Sequence, residues 1–92
     1  TGANKFMSYR VEFQEQAEID LGKLPATWQK RIISKITWLA ENFEEIRHIQ
    51  LSANLAGFYK LRVGDYRVIY EFDRTIRVVT IERIGHRRDV YE

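Results

Sequence analysis

Cysteine is absent from this 92-residue chain. Disulfides and thiolate metal sites are therefore excluded, a usage compatible with a reducing compartment. The only two histidines, His48 and His86, lie far apart. No carboxylate cluster stands at ligand spacing, so neither a metal nor another cofactor is expected. A single proline and five glycines leave no room for a linker or a low-complexity tract. No apolar run approaches the ~20 residues of a transmembrane helix. Charge of one sign is not in excess either. Fifteen Lys and Arg stand against thirteen Asp and Glu, for a formal net of +2, so this is no histone-like polycation. Phosphate-loop, dinucleotide, zincin and nucleophile-elbow motifs are all missing. Thr1–Phe6 lacks the charged and apolar regions of a signal peptide. Followed directly by Met7, it reads as a leader foreign to the fold, with residues 7–92 a single domain.

What is present is a core. The 45% hydrophobic and 13% aromatic content argues against intrinsic disorder. Tyr9–Phe13 alternates as a short strand. Glu15–Leu24 carries Ala17, Leu21 and Leu24 on one helical stripe. Pro25 separates it from a second helix, in which Trp28, Ile32, Ile36, Leu39 and Phe43 recur at helical spacing. That stripe is core packing rather than a cofactor box. Glu44–Ala56 has no clear period; a loop with a short helical turn is expected, and His48 within it is given no role. Strands follow at about Phe58–Val63, Tyr66–Phe72 and Thr75–Arg83, with Asp73-Arg74 as a tight turn. The tail leaves the sheet at Gly85. The fold class is α+β, ordered β-α-α-β-β-β, with an antiparallel sheet and a two-helix hairpin packed on one face.

The hairpin around Gly64 carries the most information. Glycine at the first of two loop positions suits a type II′ turn, because it alone reaches positive φ there without steric cost. Val63 then faces Tyr66, and Arg62 faces Arg67, with Lys60 diagonal to them. Like charges opposed across strands destabilise the pair. A phosphate is their natural partner, gripped in bidentate fashion by arginine. From Gly57 onward, seven of the eight basic side chains are arginine. The bland alternative for any one of them is a solvated face. Arg77 and Arg83 have a cross-strand alternative, pairing with Glu71 or Glu82.

Arg87 and Tyr91 stand four residues apart, so one helical turn puts them on the same side. A phosphodiester on the sheet face left open by the helices would meet Lys60, Arg62 and Arg67, and a tail folded back would add Arg87, Arg88 and His86. RNA supplies its own nucleophile, the 2′-hydroxyl. Cleavage then needs a base, charge stabilisation at phosphorus, and an acid for the leaving 5′-oxygen. Tyr91 suits the base if guanidiniums lower its pKa from about 10. His86 is chemically the easier proton donor, and Arg87 the alternative. Against this, Tyr91 also reads as an anchor packed on the sheet. Tyr59, Tyr66 and Tyr70 read as half-buried strand residues.

The run Leu61-Arg62-Val63-Gly64-Asp65-Tyr66-Arg67-Val68-Ile69-Tyr70, with the ending Gly85-His86-Arg87-Arg88-Asp89-Val90-Tyr91, resembles the RelE/ParE toxin superfamily, its RelE branch in particular. The resemblance spans Met7–Glu92. It implies a cytoplasmic toxin of a type II toxin–antitoxin pair, partnered by a cognate antitoxin. It also implies an endoribonuclease that enters the ribosomal A site and cuts mRNA, leaving a 2′,3′-cyclic phosphate and a 5′-hydroxyl. Residue by residue, it implies Arg67 on the scissile phosphate and Lys60 and Arg62 stabilising charge. Arg87 would support the leaving group and Tyr91 act as base, while His86 stands where other members carry Lys. Two other classes stay open: a ParE-like toxin that poisons gyrase, and a basic RNA-binding module that does not cut.

Overall fold

The computed structural model describes residues 8–90. In chain order the elements are β1 (Arg10–Phe13), α1 (Glu15–Gly22), α2 (Ala26–Glu41), β2 (Ile49–Gln50), β3 (Tyr59–Val63), β4 (Tyr66–Asp73) and β5 (Val78–His86). Short 3-10 turns occupy Phe43–Glu45 and Ala53–Leu55. The five strands form one sheet in the order β1-β5-β4-β3-β2. The last three strands make the expected antiparallel meander. β1 pairs parallel with β5, so the sheet is mixed rather than wholly antiparallel.

Pro25 sits immediately before α2 with φ −58°, already compatible with helix entry. Ile32, Ile36 and Leu39 of α2, with Phe43 just beyond it, are buried, as their spacing requires. They pack with Ala17 of α1 against Leu61, Val63, Val68, Tyr70, Val79, Ile81 and Ile84 of the sheet. Trp28 lies over the β3–β4 turn, and its ring meets that of Tyr66 at 4.6 Å between centroids. A Cβ on Gly64 would stand 2.7 Å from the indole, so Gly64 is needed for close approach as well as for the turn.

Glu44–Ala56 contributes more than a loop. His48 is half-buried, with both ring nitrogens hydrogen-bonded. Its Nε2–H donates to the Phe43 carbonyl at 2.9 Å, which leaves Nδ1 to accept from the Tyr70 hydroxyl at 2.6 Å. Burial is the main cause that depresses the pKa of His48 below the usual histidine value, with the Arg74 charge adding to it. Leu51 pairs back through its N–H to the Phe58 carbonyl, 2.9 Å away.

The β4–β5 connection departs from the expected Asp73-Arg74 turn. β4 runs on through Asp73, whose Oδ1 accepts the N–H groups of Thr75 and Ile76 at 2.8 and 3.3 Å. Four residues, 74–77, make the turn, and Arg77 takes a positive φ of 57°. Asp73 therefore nucleates the loop rather than forming its corner. β5 also continues through Gly85 to His86 before the tail departs.

Candidate active site

The β3–β4 hairpin forms as its sequence dictates. Val63 pairs with Tyr66 and Arg62 with Arg67, around a loop of Gly64 and Asp65. Gly64 has φ +60°, and Asp65 is not in the left-handed region, which together make the turn type II′. Lys60, Arg62 and Arg67 alternate with the core residues Leu61, Val63 and Val68, so they project from the face away from the helices.

That face is only partly open. Leu51, Ile69 and Val90 form a second buried cluster on it, flanked by Leu55 and Phe58. Arg67 is 4% exposed, whereas Arg62 is exposed and Lys60 half-buried. The Arg67 guanidinium curls back toward the turn, and its Nη1 donates to the carbonyls of Gly64 and Tyr66 at 3.1 and 3.0 Å. The Arg62–Arg67 repulsion is thus divided between a pinned guanidinium and one held in solvent.

The tail returns to this end of the sheet. On β4's other side Arg67 pairs with Gly85. The Arg87 N–H donates to the Asp65 carbonyl at 2.8 Å, tying the tail to the hairpin loop. The Val90 N–H then bonds the His86 carbonyl at 3.0 Å, closing one helical turn. A Cβ on Gly85 would lie 2.4 Å from Val90 Cγ2, so only a glycine lets Val90 seat on the strand. Arg62, Arg67 and Arg87 therefore gather around one turn, with exposed Arg88 next along the tail. Tyr91 lies outside the described residues.

His86 is not brought into this group. It pairs with Tyr66 across β4–β5, and the two rings approach to 5.7 Å on the side that carries the helices. Its Nδ1 accepts the Arg88 N–H at 3.2 Å. Among the described residues no three His, Asp or Glu side chains converge to hold a metal ion.

Two acidic features escaped the sequence. Asp20 of α1 is buried and binds the Ile84 N–H at 2.9 Å and Arg83 Nε at 2.8 Å. Arg83 thus pairs with a helix, not across the sheet. Burial pushes the Asp20 pKa up, but the bonds from Arg83, Ile84 and Gln16 prevail and hold it below the carboxylate norm. A bulge makes this possible: Tyr70 faces Ile81 and Ile69 faces Arg83, leaving Glu82 as the extra residue. Glu82 meets Glu71, and burial, the shared hydrogen bond and the Glu71 charge push its pKa to about 7. This carboxyl pair is on the Arg67 face, since Glu71 follows Arg67 and Ile69 by strand alternation, but toward the opposite end of β4. The only sequence signal for Asp20 is its position three residues after Ala17, on the buried side of α1.

The family described as ParE toxin of type II toxin–antitoxin system matches residues 11–91. The chain is 34% identical over 91 residues to Toxin RelG of Mycobacterium tuberculosis, covering 92% of this chain and 98% of that one. The toxin–antitoxin complex RelBE2 of the same organism superposes with a TM-score of 0.79 at 31% identity, over 87% of this chain and 92% of that one. This chain belongs to the RelE/ParE toxin superfamily, in its RelE branch. The archaeal RelE–RelB complex of Pyrococcus horikoshii agrees, with a TM-score of 0.67 at 27% identity over 91% and 100% of the two chains. As a type II system toxin of this family, the protein holds its arginines on a hairpin and a returning tail. No helix among its described residues is long and apolar enough to cross a membrane.

Proposed function

We propose that this toxin is an endoribonuclease that cuts mRNA in the ribosomal A site. The observation that carries this reading is the bond from the Arg87 N–H to the Asp65 carbonyl, which gathers the tail arginine with Arg62 and Arg67 around one turn. Three arginines whose backbones meet at one turn suit one phosphodiester, whose charge grows as a fifth oxygen joins phosphorus. In the reaction a base takes the 2′-hydroxyl proton and O2′ bonds phosphorus. The bond to O5′ breaks, and O5′ leaves with a proton. The products are a 2′,3′-cyclic phosphate and a 5′-hydroxyl.

Arg67 is the contact to the scissile phosphate, and its guanidinium, 4% exposed and bonded to the turn carbonyls, must turn outward to reach it. Lys60 and Arg62 add charge stabilisation, Arg87 supports the leaving oxygen, and Tyr91 is the base. Arg88 contacts flanking RNA, and His86, turned to the helix side of the sheet, is left out of that contact. A free single strand rarely holds O2′, phosphorus and O5′ in line. A ribosome that fixes that geometry supplies much of the rate through orientation. The working compartment is then the cytoplasm, and the partner that silences the toxin is a cognate antitoxin. Support for that partner comes from the relatives, whose structures are toxin–antitoxin complexes.

The test is in vitro translation with this protein followed by mapping of mRNA ends. Cuts at A-site codons, abolished in Arg67→Ala and Tyr91→Phe, are the expected result. A second reading, gyrase poisoning, is favoured by the ParE description of the matching family. Intact mRNA with blocked DNA supercoiling would establish it in place of the first. Cleavage unaffected by Tyr91→Phe would remove the tyrosine from the chemistry.

A further inference from the structure

A groove of about 630 Å³ lies where α2 passes the hairpin turn. Lys30, Arg31, Lys35 and Arg62 line it, with Ser34 and Trp38, and no carboxylate does. Two of its cations lie over indole rings: Arg31 is 4.3 Å from the Trp28 ring centre and Lys35 is 4.0 Å from that of Trp38. Trp38 is 41% exposed, an unusual setting for so large an apolar side chain. β2 pairs only with Tyr59 and Lys60, so the Arg62 end of β3 is an uncovered edge. Arg62 therefore belongs to two surfaces, the one that carries Arg67 and this groove.

We propose that the groove binds single-stranded RNA, namely the stretch of substrate that flanks the linkage to be cut. The inference rests on the nuclease reading above and extends it to a second contact surface. Cations interleaved with an exposed aromatic ring are what a single strand needs: phosphates meet the charges, and a base stacks on the ring. Arg31 and Lys35 stand one helical turn apart, about 6 Å along the axis, a step similar to that between phosphates of an extended strand. A strand leaving the Arg67 face past Arg62 enters a groove whose own lining holds no acidic residue. An acidic protein segment would also answer the charge, but it would leave the exposed part of Trp38 without a flat partner.

The probe is a fluorescein-labelled RNA of about 12 nucleotides with every 2′-hydroxyl methylated, so that binding is read without cutting. The wild-type protein should bind it with quenching of tryptophan emission. Lys30→Gln/Lys35→Gln removes two charges while leaving polar side chains in place and should weaken binding about tenfold, flattening the salt dependence by about 1.4 in log–log slope. Trp38→Ala should abolish most of the quenching. Melting temperatures of the variants check that they fold. Failure of the wild-type chain to bind, or a double variant that binds within twofold of wild type with the same slope, overturns the groove. Loss of antitoxin binding in that variant while RNA binding persists also overturns it. Cleavage is read separately: a chain that binds through the groove yet cuts no mRNA removes the nuclease reading and leaves the groove standing.

Discussion

Replacing Gly85 with alanine tests how the tail is held. The backbone there is not in the left-handed region, so alanine meets no conformational penalty. Its methyl would meet Val90 Cγ2 at 2.4 Å, and the tail must move by about 1 Å or more to relieve the overlap. Val90 is 6% exposed and packs on Leu51 and Ile69. Unseating it forfeits up to about 1.5–3 kcal/mol of valine burial. Alanine returns about 0.5–1 kcal/mol through lower unfolded-chain entropy. A net loss of about 1–2 kcal/mol follows, which lowers Tm by about 5–15 °C in a domain this small. mRNA cleavage should fall further than stability, about 100-fold, because Arg87 shifts with the tail. The double variant Gly85→Ala/Val90→Ala sharpens the test. Val90 Cβ would be 3.8 Å from the new methyl, an ordinary contact. Alanine at 85 should therefore cost nothing once Val90 is shortened, giving a coupling of about 1–2 kcal/mol in urea denaturation. Additive effects, or a single variant that melts and cuts like wild type, would refute the reasoning.

Other perturbations address the buried polar groups. Glu82 titrates at about 7 in the fold and near 4.5 in the unfolded chain, so stability falls as pH rises through that interval. Glu82→Gln should remove that decline, seen as a Tm that no longer falls from pH 5 to pH 8. His48 behaves oppositely: its depressed pKa makes the folded state lose stability as pH falls through the unfolded value of about 6.5. Tyr70→Phe leaves His48 Nδ1 without its hydroxyl donor and should cost about 1–3 kcal/mol at pH 7.5 by chemical denaturation. Asp20→Asn should destabilise by about 1–3 kcal/mol through the weakened Arg83 and Ile84 bonds. It should also blunt acid unfolding below pH 4, since the lowered Asp20 pKa gives stability that is lost as pH falls through it.

Local rules carried the hairpin. The Gly64 turn, the Arg62–Arg67 opposition and the α2 stripe each depend on residues close in sequence, and each is found as expected. Features decided by distant partners were not legible. The parallel pairing of β1 with β5 joins segments at opposite ends of the chain. β2 has two residues and exists only because β3 offers an edge. Arg67 is buried on a face that alternation alone leaves open, the same face on which Leu51, Ile69 and Val90 form a second apolar cluster. Leu51, Leu55 and Phe58 stand at helical spacing within a stretch that otherwise shows no period, which was the available hint. His86 alternates with Gly85 on β5, so it takes the side opposite the face on which Val90 rests.

The proton-sharing Glu71–Glu82 pair and the arginines of the hairpin occupy opposite ends of the same sheet surface. That surface therefore carries charge of opposite sign at its two ends. A polyanion approaching it would favour one alignment, with the arginine end inward, before any atom touches. Alkaline conditions strip the shared proton and sharpen that alignment, so capture by a nucleic acid would become more selective for orientation even as the fold loosens.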